Sequence, residues 1–339
     1  MVKIIEPSYE ILTETNPLKK IERAARTCYQ SFDKEEEGSD VKLVKHLIKR
    51  GHWAMIEHAN IILTVGWNDY KNLFDLYTSY KNTLYNLIEP KFIRFISLDR
   101  ENTEHTYNII SGNLRAFYEF IKHKMGDKGE QHHVRKLHLF LKENIPLIFD
   151  DIENPMEKYI HTLNFATDLS DEEREIHDVM TVVFHADRGF SHELVRMRLC
   201  SFAQISTRYV DFTKEKHGAE LRVICPFDKY SVIESKAMEL NMPFKLTDNP
   251  ILKWFNSMLA SEKSYFELRE KGVKPEIARS VLPIGLETEI VCTATLKEWK
   301  HIFNLRTASY AHPLIRGLMR ELCTEVKEQI PKIFDDIEW

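Results

Sequence analysis

The chain has 339 residues with 43% hydrophobic and 11% aromatic content, which is enough for one large hydrophobic core or two ordinary ones. Its formal net charge of −5 argues against a general nucleic-acid binder, because binding to a phosphate backbone needs an excess of positive surface. No apolar run approaches the roughly eighteen residues that cross a bilayer, and charge appears too early for a secretory signal, so we expect a cytoplasmic protein without a membrane or nucleic-acid partner.

The first half of the chain carries helical patterns and one strand pattern. Apolar residues recur at helical spacing before Gly51 and predict a helix there: Val41, Leu43, Val44, Leu47 and Ile48. Residues 61–65 (IILTV) are typical of a strand. Residues 66–179 include helical patterns at 111–124 and 134–145 but no chemical motif. This block is either a separate small domain or an insertion in a fold made by the flanking segments.

The second half alternates strand and helix irregularly. A strand at 181–184 is followed by a turn at 187–189 and a helix for which Ser191 is the candidate N-cap. Residues 219–227 predict a strand, and residues 254–272 predict a helix. A last helix begins near Pro313 and has one apolar face: Ile315, Leu318, Met319, Leu322 and Val326. These elements predict an α+β, or mixed α/β, fold.

Residues 196–209, RMRLCSFAQISTRY, form an arginine-rich segment in this acidic chain. On a helix, Arg196 and Arg198 point about 200° apart around the axis, so they would serve two different anions, or one would bind a structural carboxylate. Planar guanidinium groups beside hydroxyls and backbone N–H groups suit a phosphate. The residues alone leave two interpretations open: a phosphate or nucleotide site, and a solvated helix face with ordinary salt bridges.

The arginine-rich segment resembles the signature of the flavin-dependent thymidylate synthases (ThyX), R-H-R-x-x-S-x-N-x-x-S-x-R-Y. Met197 replaces the histidine of that pattern, and Ala203 replaces the asparagine. The matching residues are Arg196, Arg198, Ser201, Ser206, Arg208 and Tyr209.

Three other segments are similar to the same family. Residues 187–198 (DRGFSHELVRMR) resemble the entry to the signature in one branch. A G-H-x-x-x-x-E-H segment matches at Gly51, His52, Glu57 and His58, and a C-terminal block at Arg279, Leu282, Pro283, Trp299, Phe303, Leu305 and Arg306. The resemblance covers residues 1–65 and 180–339. It implies a ThyX-like catalytic domain with a central, mainly antiparallel sheet flanked by helices, and leaves 66–179 as a largely helical insertion of unknown role.

This resemblance implies a methyltransferase that makes dTMP from dUMP without a protein nucleophile. 5,10-Methylenetetrahydrofolate would supply the carbon, and NADPH the reducing equivalents through FAD. Arg306 would be the catalytic residue, promoting ionisation at N3 of the uracil. The chain would form a homotetramer whose sites are shared between subunits. Two alternatives stay open: a diverged flavin- and folate-linked pyrimidine-nucleotide modifying enzyme, and a catalytically silent nucleotide-binding protein.

The resemblance also implies two sets of binding residues. For dUMP these are Glu193, Arg196, Gln204, Ser206, Thr207, Arg208 and Arg279. For FAD they are His52, Arg196, Met197, Arg198, Gln204, Thr295, Lys297 and His301. Glu193 stands where the family often has a glutamine, and residues 295–297 (TLK) replace a family N-A-R turn. Met197 cannot donate the hydrogen bond of a histidine, so these departures predict weaker or altered flavin binding.

The cysteines and histidines add no further chemistry. The five cysteines are odd in number and include no C-x-x-C pair, so we expect neither a disulfide framework nor a thiolate metal site. Cys225 precedes a proline and no cysteine precedes a histidine, unlike the cysteine-dependent class of thymidylate synthases. His52 and His58 lack a third ligand, so we expect no metal.

Overall fold

The computed structural model of the protein describes residues 2–83, 93–96, 107–126, 131–156, 158, 163–227 and 250–339. Within these residues, strands and helices of mixed order confirm the predicted α+β class. The strands are β1 Lys3–Ile5, β2 Ser8–Ile11, β3 Asn60–Gly66, β4 Ile93–Ile96, β5 Tyr107–Asn113, β6 Leu163–Phe165, β7 Val179–Asp187, β8 Ser201–Gln204, β9 Arg222–Ile224 and β10 Glu287–Thr295.

Helices surround these strands. The α-helices are Pro17–Tyr29, Ser39–Lys49, Trp67–Thr83, Leu114–Met125, His132–Asn144, Pro146–Phe149, Asp171–His177, Arg188–Leu194, Pro250–Glu270, Pro275–Ala278, Leu296–Arg306, Pro313–Gln329 and Pro331–Phe334. Short 3-10 helices span Phe32–Lys34, Trp53–His58, Glu215–His217 and Arg279–Val281. No described helix combines the length and apolar composition that crossing a membrane requires.

An antiparallel sheet of order β2-β7-β10-β8 forms the centre of the fold, as the resemblance implies. β7 and β10 pair along their whole length, with Val183 opposite Val291. Because side chains alternate along a strand, β10 has two different faces. Ile290 and Cys292 pack into a core with the helices Leu296–Arg306 and Pro313–Gln329. Val291, on the other face, packs against Ala24 of the first long helix.

A second antiparallel sheet, of order β4-β5-β3-β6, contains most of the strands of residues 66–179. β3 lies between β5 and β6, and both of these neighbours belong to that block. Its residues share one hydrophobic core with the N-terminal helices, for example Phe117 and Leu141 with Ile21 and Leu47. In the described residues, the block therefore has no core separate from the N-terminal segment. The predicted domain boundaries stay a prediction.

Several local predictions are confirmed. The helix Ser39–Lys49 ends before Gly51, whose φ of 71° is the left-handed conformation that glycine adopts at a helix end. β3 covers the predicted strand 61–65, and β9 covers the middle of the segment 219–227. In the last helix, Pro313 is the first helical residue, and the predicted apolar face is buried.

The predicted N-cap at Ser191 is wrong. β7 continues to Asp187, which pairs with Glu287 of β10, so residues 187–189 do not form a separate turn. The helix begins directly at Arg188, and Asp187 caps it by accepting a hydrogen bond from the Phe190 N–H at 2.6 Å. Ser191 lies inside the helix, and its hydroxyl donates to the Arg188 carbonyl. Strand pairing thus moves the N-cap, and with it the start of the helix, four residues towards the N-terminus.

Candidate functional site

The arginine-rich segment begins just after a helix, in a turn. The helix Arg188–Leu194 ends two residues before Arg196, and β8 begins at Ser201. The argument from helical geometry therefore does not apply to Arg196 and Arg198. Both side chains are exposed, and neither has a carboxylate within ion-pair distance among the described residues. Their guanidinium groups are accessible to an anionic ligand.

Met197 lies between these two exposed arginines but faces inward. It is 7% exposed and packs in the core formed by β7, β10 and the C-terminal helices. A histidine buried there would need hydrogen-bond partners, whereas a methionine fills such a space without any. The methionine therefore suits the local packing. Its predicted contact with a flavin stays a prediction.

Ser201 is hydrogen-bonded to a half-buried carboxylate, that of Glu57. Its hydroxyl donates to Glu57 Oε2 at 3.2 Å, and Glu57 Oε1 accepts a hydrogen bond from Arg115 Nη1 at 2.7 Å. Burial raises the pKa of the Glu57 carboxyl, while the Arg115 guanidinium acts in the opposite direction. Arg115 belongs to the block 66–179, so this contact links that block to the arginine-rich segment. The sequence gives no signal for the pairing.

Gln204 and Ser206 make contacts on opposite sides of the end of β8. The Gln204 amide donates to the Ser191 hydroxyl at 2.9 Å and to the Thr288 hydroxyl at 3.0 Å. It therefore faces the helix Arg188–Leu194. Two residues later, the Ser206 backbone N–H donates to the Cys28 carbonyl at 3.0 Å. These bonds fix the path of the chain on both sides of Ile205.

The C-terminal block reaches the arginine-rich segment through Arg279. Arg279 Nη1 lies 3.5 Å from the Thr207 hydroxyl. Next to it, Arg208 Nε lies 3.3 Å from Glu276 Oε2, and its guanidinium lies 5.3 Å from the ring centroid of Tyr209. The Arg208 ion pair is largely exposed, so it contributes little stability and is readily exchanged for another anion. Hydroxyl and guanidinium donors thus meet at one surface.

Arg306 and Glu193 join the C-terminal block to the helix Arg188–Leu194, just before the arginine-rich segment. Arg306 Nη1 lies 3.2 Å from Glu193 Oε2, and Nη2 donates to the Glu193 carbonyl at 2.8 Å. The Nε atom of Arg306 is buried and has no hydrogen-bond partner in the described part of the chain. This guanidinium is held at the end of its helix and oriented by Glu193.

Arg188 is a residue that the sequence reasoning missed. It is the first residue of its helix, and its Nη1 atom is buried without a hydrogen-bond partner among the residues that the structure describes. Burial, and then the charge of Arg279, lowers the pKa of Arg188. The available signal was its position directly after Asp187, within a segment already singled out.

The remaining residues predicted for FAD lie on two other elements. His52 is exposed, and the Tyr29 hydroxyl is 3.4 Å from its Nδ1. Thr295 ends β10 and caps the helix Leu296–Arg306 by accepting from the Glu298 N–H, so residues 295–297 start a helix. Lys297 and His301 are exposed and four residues apart, hence on one helix face. Within the described ranges, no hydrogen bond or ion pair joins these residues to Arg196 or Arg198.

Three exposed cations have the charge that the diphosphate of a flavin dinucleotide requires. Arg196, Arg198 and Lys297 are exposed cations without an ion-pair partner in the described ranges, and guanidinium and ammonium groups bind a diphosphate through charge-assisted hydrogen bonds. Thus the residues fit the cofactor by charge.

The cysteines are free thiols, and burial keeps two of them protonated. None of the five cysteines forms a disulfide, and burial raises the pKa of Cys28 and of Cys323 to about 11. Such thiols carry almost no nucleophilic thiolate at neutral pH. Among the described residues, no group of three or more His, Cys, Asp or Glu side chains is arranged to hold a metal ion.

Comparison with known proteins gives one family. The profile of the family described as thymidylate synthase complementing protein matches residues 10–69 and 173–332, about two thirds of the chain. A protein of Corynebacterium diphtheriae named flavin-dependent thymidylate synthase is 30% identical over 165 residues, which cover 48% of this chain and 62% of that protein. A protein of the same name from Geobacter sulfurreducens is 34% identical over 149 residues, covering 44% of this chain and 56% of that protein.

An archaeal relative shows the same pattern. The flavin-dependent thymidylate synthase of Sulfolobus acidocaldarius is 32% identical over 153 residues, covering 43% of this chain and 48% of that protein. The chain thus spans between 48% and 62% of the length of these curated relatives.

Proposed function

The chain belongs to the flavin-dependent thymidylate synthase family, and on that premise we propose that it converts dUMP to dTMP by reductive methylation. In this proposal, 5,10-methylenetetrahydrofolate supplies the carbon, NADPH supplies the reducing equivalents, and FAD is the cofactor. The reaction makes the protein a methyltransferase of nucleotide biosynthesis. Its cytoplasmic location stays a prediction.

The observation that carries this proposal is a pair of contacts between regions that are distant in sequence. Arg279 reaches Thr207, and Arg306 reaches Glu193. These contacts join the C-terminal block to the arginine-rich segment and to the helix just before it, which supports a shared surface for the residues assigned to dUMP by resemblance. A nucleotide with one phosphate and one polar ring needs guanidinium and hydroxyl donors for both parts on one surface.

Within that surface, we assign the phosphate of dUMP to Arg279, with Ser206, Thr207 and Arg208 as further donors. Glu193, Arg196 and Gln204 complete the predicted substrate contacts. Arg306 is assigned to the uracil ring, where a fixed and partly buried cation stabilises negative charge that develops during the reaction. A more electron-rich ring has a more nucleophilic C5, so the mechanism needs no protein thiolate.

For FAD, we assign Arg196, Arg198 and Lys297 to the diphosphate, and His52, Met197, Gln204, Thr295 and His301 to the rest of the cofactor. When bound, FAD supplies the redox chemistry that passes reducing equivalents from NADPH to the one-carbon unit. The residues of the chain bind and orient it.

A homotetramer with shared sites fits the exposed apolar side chains around this surface. Isolated exposed apolar residues are ordinary, but a group beside a candidate site is typical of an interface. The exposed large side chains on the arginine-rich segment, just before it, and on the C-terminal block are Val195, Leu199, Tyr209, Ile277, Ile284 and Tyr310.

One assay tests the proposal. The purified protein is incubated with FAD, NADPH, 5,10-methylenetetrahydrofolate and dUMP, and the nucleotide products are separated. We expect dTMP, and none when NADPH or the folate is omitted. Flavin-loaded protein that makes no dTMP contradicts the proposal. A parallel reaction with dCMP identifies a diverged enzyme, and protein that binds dUMP but no flavin identifies a silent nucleotide binder.

A further inference from the structure

A groove opens between the N-terminal helices and the block 66–179, and no residue assigned to dUMP or FAD lines it. Its volume is about 900 Å³, which lies within the range of small-molecule sites, roughly 300–1,000 Å³. Its walls are the start of the helix Pro17–Tyr29, one face of the helix Ser39–Lys49, and the junction of the helices His132–Asn144 and Pro146–Phe149. The groove therefore has the size of a ligand site, and its residues have no role in the proposed reaction.

The junction of two helices shapes one wall of the groove. Ile145 ends the helix His132–Asn144, and Pro146 is the first residue of the helix Pro146–Phe149. Proline has no N–H with which to continue the first helix, and its fixed φ suits the start of the second. The chain bends here, and the short helix contacts the helix Ser39–Lys49. The bend thus brings residues of the block 66–179 beside the N-terminal helices.

Apolar side chains that stay partly exposed line the groove. Leu18, Ile48 and Leu147 pack against the hydrophobic core with part of their surface and line the groove with the rest. Val41, which also lines it, is 37% exposed. These residues come from three elements that are distant in sequence. Single exposed apolar residues are ordinary, but several in one concave site are typical of a binding site.

Two lysines without a counter-charge lie at the same groove. Lys45 and Lys49 line it, are exposed, and lie four residues apart on one face of their helix. Neither side chain has a hydrogen-bond or ion-pair partner among the residues that the structure describes. Asp150 also lines the groove, but it lies on another wall and already pairs with Lys142 at 3.0 Å. The two lysines therefore give one wall of the groove an uncompensated positive charge.

We propose that this groove binds a monomeric amphiphilic carboxylate, a molecule with one apolar chain and one acidic end. The chain covers the apolar side chains of the groove, and the carboxylate binds the ammonium groups of Lys45 and Lys49. Burial of the chain supplies most of the affinity. The charge-assisted hydrogen bonds select the acid over a neutral or cationic amphiphile. This inference does not depend on the proposed function.

Decanoate, kept below the concentration at which it forms micelles, is the probe, and titration calorimetry on the full chain is the measurement. We expect one decanoate to bind per chain. Octanoate and hexanoate should bind more weakly, by roughly fourfold for each methylene group removed. Acetate has the charge without the chain, and decyltrimethylammonium has the chain with the opposite charge. Neither should displace decanoate.

Two variants test the two parts of the groove. The double variant Lys45→Gln with Lys49→Gln removes both charges and should weaken decanoate binding on the order of 10-fold. Val41→Asp places a carboxylate among the apolar side chains and should weaken it at least as much. All three positions are exposed, and an aspartate in the first turn of a helix is favourable. Both variants should therefore keep the unfolding temperature of the wild type without ligand.

Lys271→Gln is the matched control. Lys271 is also an exposed lysine whose side chain has no ion-pair partner in the described ranges, and it directly follows the helix Pro250–Glu270. We expect this variant to bind decanoate as tightly as the wild type. Added salt should weaken decanoate binding to the wild type more than binding to the double variant, because salt screens exposed charges.

Three results overturn the inference: many decanoate molecules bound per chain, equal decanoate affinity in the wild type and the double variant, and equal weakening in Lys271→Gln. Other occupants of the groove give different results. If a second copy of the chain covers it, decanoate does not bind and Val41→Asp changes the molar mass measured by light scattering. If an acidic helix of a partner protein occupies it, a helical peptide of leucine and glutamate binds through Lys45 and Lys49 whereas decanoate does not. Either result refutes the proposed ligand.

Discussion

Glu193 engages both terminal nitrogens of the Arg306 guanidinium, one through its carboxylate at 3.2 Å and the other through its backbone carbonyl at 2.8 Å. The two contacts hold the guanidinium in one orientation at the end of its helix. Any ligand that uses the same nitrogens must share them with Glu193 or displace it. The strength of the Glu193–Arg306 contact therefore affects both the binding of a ligand to Arg306 and the rate of the proposed reaction.

Replacing Arg306 by alanine should lower turnover much more than dUMP binding. The proposed role of the guanidinium is to stabilise charge that develops during the reaction, so its removal affects the transition state selectively. We expect kcat for dTMP formation to fall roughly 100-fold, with a much smaller change in the Kd for dUMP measured by calorimetry. Arg306→Lys should recover part of the rate. Equal losses of affinity and rate would contradict this assignment.

Replacing Glu193 by glutamine should strengthen dUMP binding. Glutamine keeps the shape of the side chain but releases Arg306 from the carboxylate and removes a negative charge from the nucleotide surface. Because Arg306 and Glu193 are 18% and 34% exposed, we expect the free energy of unfolding to change by less than about 1 kcal/mol. Titration calorimetry measures the affinity, with Asp178→Asn as a control distant from this surface. Weaker binding would instead show that the carboxylate contacts the ligand.

Replacing Arg115 by methionine should destabilise the protein in a pH-dependent way. Without the guanidinium, the partly buried Glu57 carboxylate loses its cation, and its raised pKa rises further. The folded state then binds a proton that the unfolded state releases, so the free energy of unfolding falls as pH increases from about 4.3 through the raised pKa.

We expect this variant to lose about 1–3 kcal/mol at pH 7 and less at pH 5, as measured by urea unfolding. The double variant Arg115→Met with Glu57→Gln, which removes the stranded charge, should regain part of the loss. A loss of equal size at pH 5 and pH 8 would show that Arg115 acts through packing alone.

His58 should contribute to acid sensitivity. It is fully buried, its Nδ1 contacts the Thr293 hydroxyl at 2.8 Å, and burial lowers its pKa to about 4. Its unfolded pKa is about 6.5, so the unfolded state binds a proton that the folded state excludes. The free energy of unfolding is therefore not reduced by His58 above pH 6.5, and it falls as the pH is lowered towards 4.

At the acid end of that range, His58 accounts for about 3 kcal/mol. His58→Asn keeps a nitrogen near Thr293 but cannot titrate. Urea unfolding between pH 7 and pH 4.5 should therefore give a shallower pH slope for the variant than for the wild type. The pKa of His177 is also lowered to about 4. His177 remains in the variant, so the free energy of unfolding of the variant still falls somewhat as the pH is lowered. Parallel curves would contradict the prediction.

Replacing Cys225 by alanine should leave dTMP formation within about 3-fold of the wild type, because the proposed mechanism uses no thiolate. Cys225 is half-buried and not in a disulfide. The rate is measured after the flavin spectrum has confirmed that the variant binds FAD. A large loss of activity in flavin-loaded variant protein would favour a covalent mechanism.

The apolar pattern of the sequence was sufficient to predict an element where the buried residues recur at regular helical spacing. The helix before Gly51 and the face of the last helix were predicted because their apolar residues keep helical spacing. The start of the helix after β7 was not, because Asp187 and Ser191 are equally good caps. The pairing of Asp187 with Glu287, a residue 100 positions away, decides between them.

In the candidate site, too, some residues could be predicted from the sequence and others could not. The resemblance identified Arg279, which contacts the arginine-rich segment, and Arg306, which contacts Glu193 in the helix just before it. It did not predict that Met197 faces the core, because the direction of this side chain depends on the turn between the helix Arg188–Leu194 and β8. It also missed Arg188, because an unpartnered charge is a property of surroundings that the chain assembles from distant residues.

The position of β3 between β5 and β6 makes the two halves of the N-terminal region interdependent. Excision of residues 70–172, which separate the two segments that match the family, would remove both β5 and β6. β3 would then lose its neighbours on both sides, and Leu63 and Val65 would lose part of the core that they share with that block, including Phe117 and Leu141. A minimal version of this protein therefore cannot be made by trimming the chain to the segments that match its relatives.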